Sequence, residues 1–289
     1  MFLQIIINAI INGLLLALVA LGFHIIFSTT KIFHIAHGGI YVTGVYIYLG
    51  TYSALGHIPA IILSMFSTFL LGVLIEDLVY KPLLNKSSNQ NITLISSLGV
   101  YIILVNIIAI VFGNETKIMN DKISEIIVIG FIRITQSQLI QISFAIPLLV
   151  AFLLFMKLSG LGLRVRAVAD NSTLARILGI KLQQVRYWVF GIGSVLAVSS
   201  ALLRANEIGI EPYSGLSVTL SAAVVVIIGG TRSYYGTIIG ALMLAIVQNY
   251  TEFYFSAKWK DTVTFAILLS MLLWRTEGIL QFKIRTDEK

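Results

Sequence analysis

His34 and His37 stand three residues apart, a spacing at which two imidazoles on one helix face could share a metal ion. No carboxylate occupies a position that would complete such a site, so no metal is assigned. The chain has four histidines and no cysteine, which removes thiol nucleophiles, thiolate ligands and disulfides together. A membrane enzyme would have only His34 and His37 as its centre, and no nucleophile–base pair accompanies them. No Gly-Lys dipeptide occurs, so a GxxxxGK[ST] phosphate loop is absent and the chain has no such route to ATP hydrolysis. Glu76 and Asp77 precede Lys81 by five and four residues. Asp77 is therefore expected to pair with Lys81 at i, i+4, as a structural ion pair near a helix end. The chemistry points to a protein that is not an enzyme and carries no cofactor.

The elements that hold these residues are apolar. Hydrophobic residues make up 57% of the 289 and charged residues 11%, against about 45–50% and about 25% in soluble domains. They come in blocks at 2–27, 35–54, 59–80, 92–112, 139–156, 187–205, 217–230, 237–255 and 262–282, most near the ~20 residues of a spanning helix. The expected fold is an all-α membrane protein, a polytopic bundle of about 8–9 transmembrane segments forming one domain over residues 1–289. Residues 217–230 are short for a crossing, and the block around His37-Gly38-Gly39 is interrupted, so one or two broken or re-entrant helices are expected. Met1 to Leu21 lacks a basic leader and reads as an uncleaved first span rather than a signal peptide.

A net charge of +7 raises nucleic acid as a partner, but the basic residues lie in short connections and form no basic face. Topology accounts for them. With 157–186 placed in the cytoplasm, alternation puts thirteen Lys and Arg on that side, including Lys31, Lys81, Lys86, Arg232, Lys283, Arg285 and Lys289. Six lie opposite, namely Lys117, Lys122, Arg133, Arg204, Lys258 and Lys260, with Arg275 inside the last block. That bias predicts an outside N-terminus and a cytoplasmic C-terminus.

Two connections are long. Residues 114–138 form an external loop whose Ile123, Ile126, Ile127 and Ile129 suit a short strand or cap. Residues 157–186 are cytoplasmic and patterned: Val165, Val168, Ala169, Leu174, Ile177 and Leu178 recur at helical spacing. Asp170 or Asn171 can cap a second helix near Ser172, and Gly179 stands where it would end. Two short helices fit, either as a mechanical contact for another protein or as a basic loop on anionic headgroups.

Arg166-Ala167-Val168-Ala169-Asp170, nine residues before Gly179-Ile180, resembles the coupling loop of ATP-binding-cassette importer permeases. Asn12-Gly13, Ala36-His37-Gly38, Tyr80-Lys81-Pro82-Leu83, Ser97-Leu98-Gly99, Ile228-Gly229-Gly230-Thr231 and Tyr235-Gly236 follow in the order of landmarks in the high-affinity branched-chain amino acid permease family. One stretch departs: the family usually reads Asn-Phe-Ala-His-Gly-Glu where this chain reads His34-Ile35-Ala36-His37-Gly38-Gly39, which leaves the exact solute open.

The resemblance implies an importer subunit for branched-chain or related amino acids in the cytoplasmic (inner) membrane of a prokaryote. Its partners would be a second homologous permease, two ATP-binding-cassette ATPases that alone use ATP, an extracellular or periplasmic solute-binding protein, and the lipid bilayer, with no nucleic acid. Arg164, Arg166, Ala167, Ala169, Asp170, Gly179 and Ile180 become the candidate ATPase-coupling residues. Asn12, His37, Gly38, Gly39, Gly229, Gly230 and Thr231 become the candidate translocation path, with the two glycine-broken segments able to face one another across it. Close helix packing is a second reading of the same glycines. Rival functions are a permease for urea or short amides, and a secondary transporter, which would also use broken helices.

Overall fold

Inside a bilayer a free N–H or C=O finds no water, so the chain satisfies its backbone within helices. The computed structural model describes residues 2–85, 90–119, 126–129 and 132–274. Lys86, Lys122, Ile123, Arg275, Lys283, Arg285 and Lys289, which entered the charge and loop patterns, lie outside them. Helices α1 (Phe2–Thr30), α2 (Ala36–Leu55) and α3 (His57–Ile75) come first; α3 continues through a π turn, Glu76–Tyr80, into α4 (Lys81–Asn85). Then come α5 (Gln90–Phe112), a hairpin of β1 (Ile126–Ile129) and β2 (Ile132–Thr135), and α6 (Gln136–Leu158). The short α7 (Gly160–Asp170) and α8 (Ser172–Ile177) precede α9 (Leu182–Ile208), α10 (Gly215–Gly229), α11 (Tyr234–Tyr254) and α12 (Trp259–Trp274).

Among the described residues six stretches are long and apolar enough to cross a membrane: Phe2–Thr30, His57–Asn85, Asn91–Phe112, Gln136–Leu158, Leu182–Ile208 and Pro212–Gly229. The all-α expectation needs one amendment. Ile126–Ile129 pairs antiparallel with Ile132–Thr135, Ile127 opposite Ile134, because a run rich in β-branched residues suits a pleated ribbon. Gln4 docks this hairpin onto α1, its Nε2 donating to the Arg133 carbonyl at 2.7 Å and its Oε1 accepting from the Arg133 N–H at 2.9 Å.

A helix that is apolar all round belongs in a core, and α1 is one. From Leu15 to Ile26 every residue except Leu16 is buried, against α6, α9, α10 and α11. By contrast, α5 leaves Ile95, Ile102, Ile103, Ile107 and Ile110 exposed along one side, a surface suited to lipid.

The helices meet through small residues. A Cβ on Gly22 would lie 2.5 Å from the Gly193 carbonyl oxygen, one on Gly38 2.3 Å from that of Gly215, and one on Gly229 2.3 Å from that of Gly236. These pairs close the α1–α9, α2–α10 and α10–α11 crossings, and each needs hydrogen in place of a side chain.

Near the α8 end of the bundle a polar latch ties the π turn to the start of α9. Glu76 is fully buried, and Arg186 grips it with two bonds, Nε to Oε1 and Nη2 to Oε2, the latter at 2.9 Å. Gln183 Nε2 adds a third at 3.3 Å. Beside it Asp77 accepts from Lys81 Nζ at 2.6 Å and from the Tyr187 hydroxyl, so the i, i+4 pairing expected from spacing is present.

Two stability outcomes follow from these contacts. Removing one member of a buried pair costs about 3–5 kcal/mol, whereas replacing both with apolar residues is often neutral. Glu76→Ala should therefore lower the detergent unfolding midpoint far more than the double change Glu76→Leu with Arg186→Met, and equal losses would refute the latch. Gly38→Val should cost about 1–3 kcal/mol through overpacking at the α2–α10 crossing. Gly99→Val, where nothing lies within 4 Å of the added Cβ, should change the same midpoint little.

Candidate functional site

Helices α7 and α8 are built as capped units. Ser159 Oγ accepts from the Gly162 N–H at 2.9 Å to start α7, and Asn171 Oδ1 accepts from the Leu174 N–H at 2.9 Å to start α8. Of the two residues expected as cap, Asn171 takes the role. Gly179 turns the chain at φ +83°, and the Gly179 and Ile180 N–H groups donate to the carbonyls of Arg176 and Ala175, both at 3.0 Å. A left-handed residue here favours glycine, as the sequence suggested.

The pair has an inner and an outer side. Gly162, Val165, Val168 and Ala175 are buried, and α7 packs on α1, α6 and α9. A Cβ at Gly162 would come within 2.4 Å of the Met156 carbonyl oxygen, the group to which the Arg166 guanidinium also donates. Arg166 thus satisfies a carbonyl left over at the end of α6. Ala167, Ala169 and Ile180 are half-buried, while Arg164, Asp170 and Gly179 are exposed. Leu163, Leu174, Ile177 and Leu178 are exposed too, the last two by 77% and 71%. Helical spacing had grouped Leu174, Ile177 and Leu178 with Val165 and Val168. The capped bend at Asn171 separates them, turning the second group outward.

Charged and polar contacts sort the connections into two ends. The His24 ring on α1 lies 4.7 Å from the Tyr234 ring at the start of α11, which sets the α1–α2 and α10–α11 links at one end, where partial burial and the Arg232 charge lower the pKa of Lys31. At the opposite end Lys117 and Ile210 exchange two backbone hydrogen bonds at 2.9 Å, and Thr116 Oγ1 donates to Glu211 at 2.7 Å.

The path residues fall into separate places. Asn12 Nδ2 donates to Asn249 Oδ1 at 3.1 Å across α1 and α11. The helical break expected around His37-Gly38-Gly39 is not found, since α2 runs unbroken from Ala36; the connection before it, residues 31–35, is non-helical, with Ile32, His34 and Ile35 buried. His34 Nδ1 is 2.8 Å from the Tyr80 hydroxyl and His37 Nε2 is 3.3 Å from the Val19 carbonyl oxygen. Gly38 rests on Gly215, whereas a Cβ on Gly39 would lie 2.9 Å from Leu104. Gly229 rests on Gly236; Gly230, at φ +86°, and Thr231 form the turn into α11. Gly38 meets the first residue of α10 and Gly229 is its last, so the two glycine segments lie at opposite ends of that helix. Next to Gly38, His37 Nδ1 and Thr219 Oγ1 are buried and have no hydrogen-bond partner among the described residues.

Two cavities open at the Lys117–Ile210 end, of about 360 Å³ and about 520 Å³. Asn12, Arg204, Ile208 and Lys260 line both. The first reaches down to Val19, past the middle of α1, and to Ser221 on α10. The sequence marks Arg204 and Lys260 only as minority charges on the external side. Their convergence depends on long-range packing, with α9 set against α1 and α12 against α10 and α11, which no local spacing reports.

A family model described as "Branched-chain amino acid transport system / permease component" matches residues 5–272. The high-affinity branched-chain amino acid transport system permease protein LivH of Escherichia coli (strain K12) is 29% identical over 299 residues, covering 96% of this chain and 95% of that one. Permease protein BraD of Pseudomonas aeruginosa, from a system described in the same words, is also 29% identical, over 295 residues with the same coverage. A probable LivH of Methanocaldococcus jannaschii is 25% identical over 292 residues, covering 94% and 90%. With the match running nearly end to end over a bundle of apolar helices, the chain belongs to the family of permease components of branched-chain amino acid transport systems.

Proposed function

We infer that this chain is a permease subunit of an ATP-binding-cassette importer that moves branched-chain or related amino acids across the cytoplasmic membrane. The carrying observation is the capped α7–α8 pair, which packs its inner side on three long helices and turns Leu163, Leu174, Ile177 and Leu178 outward. Exposed apolar groups in one cluster mark an interaction surface. An ATPase subunit would cover them, with Arg164, Arg166, Ala167, Ala169, Asp170, Gly179 and Ile180 in or beside the contact. The end-to-end family match favours amino acids over urea or short amides, and the coupling pair argues against a secondary transporter. A second homologous permease, two ATPases and a solute-binding protein complete the assembly.

Nine crossings are the count this reading requires: the six apolar stretches together with α2, α11 and α12. The N-terminus is then outside, the α7–α8 pair cytoplasmic and the Lys117–Ile210 end external. Residues 31–35 act as a re-entrant link, which the burial of Ile32, His34 and Ile35 supports, since irregular backbone at depth is tolerated inside protein. Asn12, His37, Gly38, Gly39, Gly229, Gly230 and Thr231 border the path at different levels, and the unpartnered polar atoms of His37 and Thr219 support a polar passage beside Gly38.

The chain has no cysteine, so single replacements report orientation cleanly. Glu115→Cys should react with an impermeant thiol reagent added outside intact cells and Ser172→Cys should not; the reverse pattern would invert the topology. A second test separates ATPase docking from headgroup attraction, which follows net charge at about 1 kcal/mol per basic residue. Ala167→Trp should abolish solute-stimulated ATP hydrolysis in the assembled complex, while Arg164→Gln with Arg176→Gln only weakens it. Normal stimulation with tryptophan at 167 would sink the coupling assignment.

A further inference from the structure

The external cavity holds more than a water-filled mouth requires. Arg204, one turn from the end of α9, and Lys260, at the start of α12, both line it. Neither side chain makes an ion pair or hydrogen bond among the described residues. Ionisable groups inside a membrane domain mark functional sites by default. Two carboxylates share the wall, each held by one hydroxyl: Thr116 Oγ1 donates to Glu211 and Ser217 Oγ to Asp261, both at 2.7 Å. A carboxylate accepts about four hydrogen bonds, so both keep capacity for a donor. Below them α1 contributes the apolar side chains of Leu15, Leu16 and Val19.

Two cations and two anions make this wall neutral. A solute bearing one sign of charge would meet a repulsive partner beside each attractive one, whereas a zwitterion satisfies both. The aliphatic strip asks for a short branched or linear hydrocarbon, and a volume of about 360 Å³ falls at the small end of the ~300–1,000 Å³ range of small-molecule sites. We propose that this cavity is a binding subsite for an aliphatic α-amino acid in zwitterionic form. Its carboxylate meets Arg204 and Lys260, its ammonium meets Glu211 and Asp261, and its side chain lies on Leu15, Leu16 and Val19. The proposal rests on the importer reading above and adds where the solute is held inside the permease itself.

The test uses the assembled importer without ATP or solute-binding protein, carrying one cysteine, Ser221→Cys on the α10 wall or Ser200→Cys on the α9 wall. L-leucine at millimolar concentration should slow modification of either cysteine by a small thiol reagent. Leucinol, which lacks the carboxylate, and 4-methylpentanoate, which lacks the ammonium, should not. Adding Arg204→Gln should raise the leucine concentration for half-protection by about tenfold or more, the scale of one charge-assisted hydrogen bond, with Arg204→Lys falling between. Equal protection by leucinol, no protection by leucine, or no reaction at either cysteine would overturn the subsite. If the wild-type complex from the same preparation pumps leucine once ATP and the solute-binding protein are supplied, that failure leaves the importer reading intact. A wild-type complex that pumps no amino acid would instead defeat the importer reading, and the subsite with it.

Discussion

Helices in lipid gain nothing from hiding apolar surface from one another, because the acyl chains are as apolar as leucine. Association then depends on van der Waals contact, which improves as backbones approach. Here that approach is set by glycine meeting glycine: Gly22 with Gly193, Gly38 with Gly215 and Gly229 with Gly236. Each crossing puts one backbone carbonyl where the other helix would carry a Cβ. Because α10 contributes to two of these crossings, it is held between α2 and α11 at opposite ends. Because α1 joins α9 the same way, the long buried run of α1 is anchored to the helix that emerges from the α7–α8 pair.

The Glu76–Arg186 latch extends this framework to the cytoplasmic end of the proposed topology. A buried carboxylate is tolerated when its hydrogen-bonding sites are filled, and Arg186 and Gln183 fill three of them for Glu76. Together with Lys81, Asp77 and Tyr187 this fastens the first turns of α9 to the π turn after α3. Since α7 also packs on α9, a displacement of the short helices is resisted by a polar lock on one side and close glycine packing on the other. Such a unit moves as a body more readily than it bends.

How much of this could be read beforehand depends on the range of the interaction. Block positions were legible because hydrocarbon thickness fixes helix length: the block at 92–112 became α5 within two residues at its start, and that at 139–156 lies inside α6. Local polar contacts were legible too, as with Asp77 and Lys81 four residues apart, or Asn171 before Ser172. Contacts between distant residues were not. Arg186 lies 110 residues from Glu76, and nothing near either names the other. The glycines around 38 and 229 stood out as special, but their partners, Gly215 and Gly236, come from packing geometry. The break sought within His37-Gly38-Gly39 is not there: α2 begins at Ala36, whose N–H is satisfied by Ser97 Oγ at 3.0 Å, and continues through the glycines.

These contacts also say where a passage through the permease would be shut. The cavity at the Lys117–Ile210 end reaches Val19, and the Val19 carbonyl is the group that His37 Nε2 approaches. Immediately beyond, the backbones of Gly38 and Gly215 touch, leaving no room between α2 and α10. Under the proposed pathway this is an outward-open arrangement with its closure at the α2–α10 crossing, and a solute can pass only when those helices separate. A glycine crossing suits such a closure because it holds by close contact rather than interlocked side chains, so parting it requires no rotamer to unlock. The force for it would arrive through α7 to α1, since α1 packs on both α7 and α10. The ATPase then need not reach the solute at all, only shift the central helix against which the closing pair is set.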